Sequence, residues 1–473
     1  MSRQISNATP APNHSVSRAW LLQSIRKVKT SSAGSVRYSV VFGLLAGMAA
    51  FSGPLSAQSR AFVPFRTFIQ NTQAATAGDF IGHTAVQIAN TADFEEMRQH
   101  ILTMYQGADV RHSFVLDSQH FDCVPMEQQP SVRLLGLNGI AAAPPASAIA
   151  RPQGGMDSAQ KTVNVTSQLG AVQVDQFGNS TRCEANTIPM RRITLQEMTR
   201  FGNLRKFFEK SPDAATSGVA VPEAKPAVTA HKYSYTYQWV NNLGGNSSLN
   251  LWKPYVNTGL GEIFSLSQQW YVGGSGSGTQ TAEVGWQNYP SKYGSQNSAL
   301  FIYYTADNYS STGCYNLDCA AFVQTNSAWH FGSGFSTYST FGGSQYEFAA
   351  QYYLYAGNWW LALGGAWVGY YPGSVYRGGQ LTRNAQLIEY GTESVGSSWY
   401  PPEGSGNWAS AGWTYAAYQR NVFYLNTSAA SVWATLTKSQ PSPACYSISG
   451  PYYSSSSGWG IYFYEGGPGG TGC

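Results

Sequence analysis

The chain has 473 residues, 11% of them charged against roughly 25% in an ordinary soluble protein, while aromatics reach 14%. That balance excludes a charged disordered tail and a coiled coil, both of which need many charges and few rings. The net charge of +4 is no nucleic-acid footprint: residues 1–57 hold six basic residues and no acid, whereas from 231 onward nine acids face seven bases, leaving no basic stripe for phosphates.

Residues 26–38 are basic and polar, 40–51 form an apolar or small-residue run of 12, and 54–57 (PLSA) offer small residues before a cut. The run is too short for a bilayer, which takes about 20 residues. This is the order of a secretory signal peptide over 1–57 with an extended n-region. The expectation is export, with no membrane association once the leader is removed. Six cysteines fit that compartment and fall two to a region. Local pairing gives Cys123–Cys183, Cys314–Cys319 and Cys445–Cys473, one of several connectivities open to six cysteines. A zinc site at Cys314 and Cys319 lacks a second ligand pair, His330 being the nearest imidazole, so no metal and no cofactor is expected.

Residues 58–210 read as a smaller α+β prosegment. The spacing of Met97, Ile101, Leu102 and Tyr105 predicts a helix over 92–106. Residues 112–123 alternate weakly like a strand, 138–160 are rich in Ala, Pro and Gly, and 162–177 alternate again. Thr194-Leu-Gln-Glu197 has a capping-box pattern opening a helix whose apolar face is Met198, Phe201, Leu204, Phe207 and Phe208. Residues 211–230 look like an exposed linker of the kind proteases nick.

From His231 the texture changes. Short runs rich in Tyr, Trp, Phe, Val and Thr alternate with Gly, Ser, Asn and Pro, as at 233–240, 263–272, 299–305, 346–355, 359–370 and 421–425. Thirteen of the 14 tryptophans lie here. Many β runs with turn punctuation and no fixed repeat argue for an all-β sandwich or barrel over 231–473.

Elimination narrows the chemistry. There is no HExxH, and no GxSxG elbow occurs in the β region, so zinc-protease and α/β-hydrolase machinery is missing. Oxidised cysteines leave no Cys/His pair. The only aspartates there, Asp307 and Asp318, lack an Asp-Thr/Ser-Gly context. Glutamates remain. Glu283 and Glu393 stand out because small residues flank both, and glycine beside a carboxylate leaves room for another backbone. Strand alternation puts Thr281, Glu283 and Gly285 on one face, with Ala282, Val284 and Trp286 on the other.

Several segments together resemble the catalytic domain of neprosin, the prolyl-endopeptidase type of glutamic peptidase. They are Asn250-Leu-Trp-Lys-Pro-Tyr-Val256, Phe264-Ser-Leu-Ser-Gln268, Ala282-Glu-Val-Gly-Trp286 and Thr312-Gly-Cys-Tyr-Asn-Leu-Asp-Cys319, followed by Gly369-Tyr-Tyr-Pro372 and Ala417-Tyr-Gln-Arg-Asn421. The resemblance runs through all of 231–473. Ile188-Pro-Met-Arg-Arg-Ile-Thr194 is similar to the family's activation segment. The resemblance implies an antiparallel β-sandwich of two curved sheets with two carboxylates meeting on a concave face. It puts the catalytic glutamates at Glu283 and Glu393. At the second, Tyr390-Gly-Thr-Glu393 stands where the family has Trp-Gly-Gly-Glu, which bears on pocket shape and hence on the preference for cutting after proline. Glu389, in phase with Glu393, is its rival.

Two close carboxylates cannot both ionise cheaply, so they share a proton. Glu393 is assigned the base that activates water and Glu283 the donor to the oxyanion, with activity highest below neutral pH. Gln268 is a candidate neutral donor to substrate. Trp286 is a candidate aromatic contact, or support from the far face. The expected partner is a peptide or protein substrate, and the prosegment is expected to mask the cleft until cut within 211–230. The alternatives are a β-sandwich glycoside hydrolase, which also uses paired carboxylates, and a non-catalytic carbohydrate-binding module.

Overall fold

The computed structural model describes residues 61–149, 152, 162–168, 173–210, 230–455 and 458–473. The leader and, except for Ala230, the linker lie outside the described residues.

Alternating apolar and polar residues build the second half into two sheets packed face to face. The first has seven strands in the order Cys314–Tyr315, Ala299–Thr305, Gln280–Asn288, Glu262–Gly273, Ala385–Gly396, Ala230–Asn242 and Thr437–Ser439. The second is centred on Gln345–Tyr355 and Gly244–Asn250, with Asn358–Leu363 and Ala417–Leu425 outside them. Pairing within the sandwich strands is antiparallel. Between the sheets Tyr271 meets Tyr352 with ring centroids 5.5 Å apart. Gln269 there donates to the Ala350 carbonyl at 3.0 Å. Trp286, Trp359 and Tyr352 are fully buried in this core, so rings fill the space between the layers. Such side chains supply most of the burial energy of a β-sandwich.

The predicted run 359–370 is two strands, Asn358–Leu363 and Ala366–Pro372. Gly364 and Gly365, at φ +57° and +88°, supply the left-handed turn between them. The three disulfides pair as expected, Cys123–Cys183, Cys314–Cys319 and Cys445–Cys473, so the cysteines of the zinc alternative are not thiolates.

The N-terminal part adds a three-stranded sheet of Ser113–Leu116, Gln119–Pro125 and Thr187–Arg191 beside short helices. The 112–123 run is a hairpin, because Asp117 and Ser118 both take positive φ at its tip. The helix expected at 92–106 is Thr91–Tyr105, capped by Asn90 accepting from the Asp93 N–H. The helix expected from Thr194 breaks in two, Leu195–Met198 and Leu204–Phe208. Thr194 caps the first, but Glu197 turns to Arg191 at 2.9 Å, and Asn203 opens the second by accepting from the Lys206 N–H. Among the described residues of the 162–177 alternation, Thr162–Asn164 is a strand and Val174 makes an isolated bridge to Ser180, while 169–172 lie outside the described residues. The strand lies parallel to Gln345–Glu347 at the second sheet.

The described residues form one compact unit. N-terminal side chains such as Phe94, Met97 and Phe201 share a buried apolar cluster with Trp286 and Trp359. A buried ion pair crosses the same boundary: Arg191 meets Asp318 at 3.1 Å, and Lys292, on the sandwich side, meets the same carboxylate at 2.9 Å.

Candidate active site

On the outer face of the first sheet, strand register arranges the candidate residues in rows. Glu389, Trp270 and Glu283 lie side by side across three strands, followed by a row of Gly391, Gln268 and Gly285. The third row carries Glu393 beside Tyr233. The two catalytic candidates therefore sit diagonally across a floor of two glycines and one glutamine. The glycines serve the sheet itself. A Cβ on Gly285 would meet the Ser267 carbonyl oxygen at 2.0 Å, and one on Gly391 would meet that of Ser234 at 2.4 Å. Room for an approaching backbone, the reason first given for glycine here, is not what this geometry requires of them.

Glu283 and Glu393 are fully buried, and one ammonium links them. Lys210, the last described residue before 230, places Nζ 2.6 Å from Glu283 Oε2 and 2.8 Å from Glu393 Oε2. The same ammonium lies 5.4 Å from the centroid of the Trp270 ring. Burial opposes its charge, but Glu283 and then Glu393 outweigh that and hold its pKa above the ordinary lysine value. Backbone contacts seat the segment: the Tyr315 hydroxyl donates to the Lys210 carbonyl at 3.0 Å, and the Tyr303 hydroxyl to that of Phe208 at 3.2 Å.

The two carboxylates have different partners. Glu283 Oε1 accepts from the hydroxyls of Thr281 at 2.7 Å and Tyr309 at 2.8 Å. Glu393 accepts from Gln268 Nε2 at 3.1 Å, and its Oε1 lies 2.5 Å from His231 Nδ1. Burial works to raise the pKa of Glu393, but Lys210 and then His231 bring it down to about 2. Glu389 stands apart from this pair and takes no hydrogen bond from any described residue. Burial pushes it up to about 7, with the charge of Glu283 adding to the effect.

Of the residues singled out from sequence, Glu283, Glu393 and Gln268 come together. Trp286 does not: it lies on the inner face, fully buried, with its indole N–H donating to the Asn250 carbonyl at 2.9 Å. The aromatic side chains of the cleft are Trp270, Tyr233 and Tyr309, which line a cavity of about 370 Å³ with Lys210, His231 and Glu393. Sequence reasoning missed Lys210, His231, Trp270 and Tyr309. His231, one of two histidines in the β region, was the one with a visible signal; nothing in the sequence marked Lys210.

Among the described residues no helix is long and apolar enough to cross a membrane, and no three His, Cys, Asp or Glu side chains gather as a metal site. Residues 261–468 match the family model described as Neprosin. That family is associated with peptidase activity, so the match supports a peptidase-type function. It favours that reading over the glycosidase and carbohydrate-binding alternatives.

Proposed function

Residues 261–468 carry a Neprosin-family domain, and on that premise we propose that the chain is a secreted glutamic endopeptidase made in a latent form. The observation that carries the proposal is a single ammonium bound by two buried carboxylates from separate strands. With Lys210 withdrawn, Glu283 and Glu393 become a close acidic pair that holds one proton between them. Gln268 and His231 remain on Glu393. Glu393 thus keeps two nitrogen partners where Glu283 has the hydroxyls of Thr281 and Tyr309, and on that difference Glu393 is the base.

Glu393 takes a proton from water as the oxygen attacks the scissile carbonyl carbon. Protonated Glu283 donates a hydrogen bond to the oxygen as it gains charge. When the tetrahedral adduct collapses, the C–N bond breaks and the leaving nitrogen takes the proton of Glu283. The proton gained by Glu393 restores the one the pair shares. Tyr233, Trp270 and Tyr309 around the cleft offer flat faces to a proline ring, which supports cleavage at proline-containing sites. The six cysteines in three disulfides fit an oxidising compartment outside the cytosol. Residues 58–210 act as the prosegment, with Lys210 as the plug, and activation follows a cut within 211–230.

The test is peptide cleavage by purified Glu283→Gln and Glu393→Gln variants. Each is expected to lose on the order of a thousandfold or more in kcat/KM, the scale of an acid–base or oxyanion group, while melting as a folded protein. Either variant keeping normal activity ends the reading, and a rate profile flat or rising from about pH 5 to 9 opposes it.

A further inference from the structure

A second cavity of about 220 Å³ adjoins the cleft and shares Tyr233, Trp270 and Tyr309 with it. Its other lining includes Tyr235, Thr281 and Glu389, and every lining residue lies beyond Ala230. Among the described residues, the N-terminal segment that plugs the dyad contributes nothing to the lining of this pocket. We propose that it is a substrate subsite for a basic side chain, lysine or arginine, with Glu389 as its counter-charge.

The argument begins with what Glu389 lacks. It is half-buried among aromatic rings and accepts no hydrogen bond from the described residues, so its ionised form lacks the partner that a bound cation would supply. An aliphatic occupant would strip its remaining water and offer nothing back. An acidic one would meet Glu389 and, one strand beyond Trp270, Glu283. A basic side chain supplies the missing donor, and its stem packs on the rings. The walls suit a cation too. Trp270 separates Glu389 from Glu283, and its ring already holds the Lys210 ammonium within 5.4 Å, the geometry of a cation–π contact. The volume accommodates one long side chain.

This subsite rests on the peptidase reading, because the peptide that crosses the dyad is what delivers the side chain. Two readouts keep the two ideas separable. In the first, the activated protein is offered peptides alike except for lysine, norleucine or glutamate at each position flanking the scissile bond. The expected result is a lysine-to-norleucine ratio in kcat/KM on the order of tenfold at one position, the scale of one charge-assisted contact. That ratio falls to near one in Glu389→Gln. A ratio near one in the parent at every position, or one unchanged in the variant, overturns the proposal. In the second, saturation-transfer NMR of the full chain compares Nα-acetyl-lysine amide with Nα-acetyl-norleucine amide. The lysine compound is expected to bind more tightly, and Glu389→Gln to abolish the difference. Equal binding of the two overturns the subsite even if no peptide is cut, whereas preferential lysine binding without cleavage of any peptide sinks the peptidase reading alone.

Discussion

Lys210 carries opposite obligations at one atom. Its ammonium is buried, which costs several kcal/mol unless carboxylates surround it, and those carboxylates are the two that the proposed chemistry needs free. Lys210→Met removes the cation and leaves two buried acids facing each other. The expected loss is about 3–5 kcal/mol of stability at pH 7, read from urea unfolding. The same pair sets a pH limit. The pKa of Glu393 is lowered from 4.5 to about 2, so its contribution to stability is complete above its unfolded value. It is lost as pH falls from there towards 2. At this scale elimination left seven glutamates in the sandwich region, and the family resemblance picked Glu283 and Glu393 from them. The cation could not be found in the sequence, because a lysine before a polar linker looks like any solvated lysine until the fold carries it to the sheet.

At the level of strands, the floor of the site depends on two glycines where neighbouring backbones come close. Gly285→Ala is expected to cost more than about 2 kcal/mol and to lower Tm, because the new Cβ would meet the Ser267 oxygen at 2.0 Å and Gln268 Cα at 2.7 Å. A Tm within a degree of the parent would show that the strands can part there. Runs rich in aromatic and β-branched residues between turn residues located strands such as Glu262–Gly273, Ala299–Thr305 and Gln345–Tyr355, but passed over Gly244–Asn250, whose small and polar residues are buried on both faces. Period-two alternation put Trp286 on the face away from Glu283, where it lies. Alternation served less well in the N-terminal part. There the 112–123 run hides a hairpin turn, and Asn203 restarts a helix that the apolar spacing of Met198 to Phe208 presents as continuous. Which strands neighbour one another is set by contacts far apart in sequence, so the row joining Glu283, Trp270 and Glu389 could not be read from spacing.

For the molecule as a whole, acidity reaches into the space between the sheets. Glu465 is buried and accepts from the Ser267 hydroxyl at 2.6 Å, with its pKa pushed up to about 8 by burial. Glu403, also buried, accepts from Thr392 and Ser234, and burial raises its pKa well above the usual carboxylate range. Both keep protons in the fold that the unfolded chain would release. Stability should therefore be greatest at acidic pH and fall as pH rises from about 4.5 towards 8. A Tm series across that window is expected to decline by several degrees, with a shallower slope in Glu465→Gln. A Tm that rises with pH would contradict it. The slope favours the same acidic conditions that suit a proton-sharing dyad.

The parallel strand Thr162–Asn164 on Gln345–Glu347, the Arg191–Asp318 pair and the Lys210 contacts all join the N-terminal part to the sandwich without a covalent bond. Cutting the backbone within 211–230 breaks none of them. The immediate product is then a complex of two chains, and its activity becomes a matter of mass action: a tightly held fragment inhibits in trans, and dilution frees the cleft.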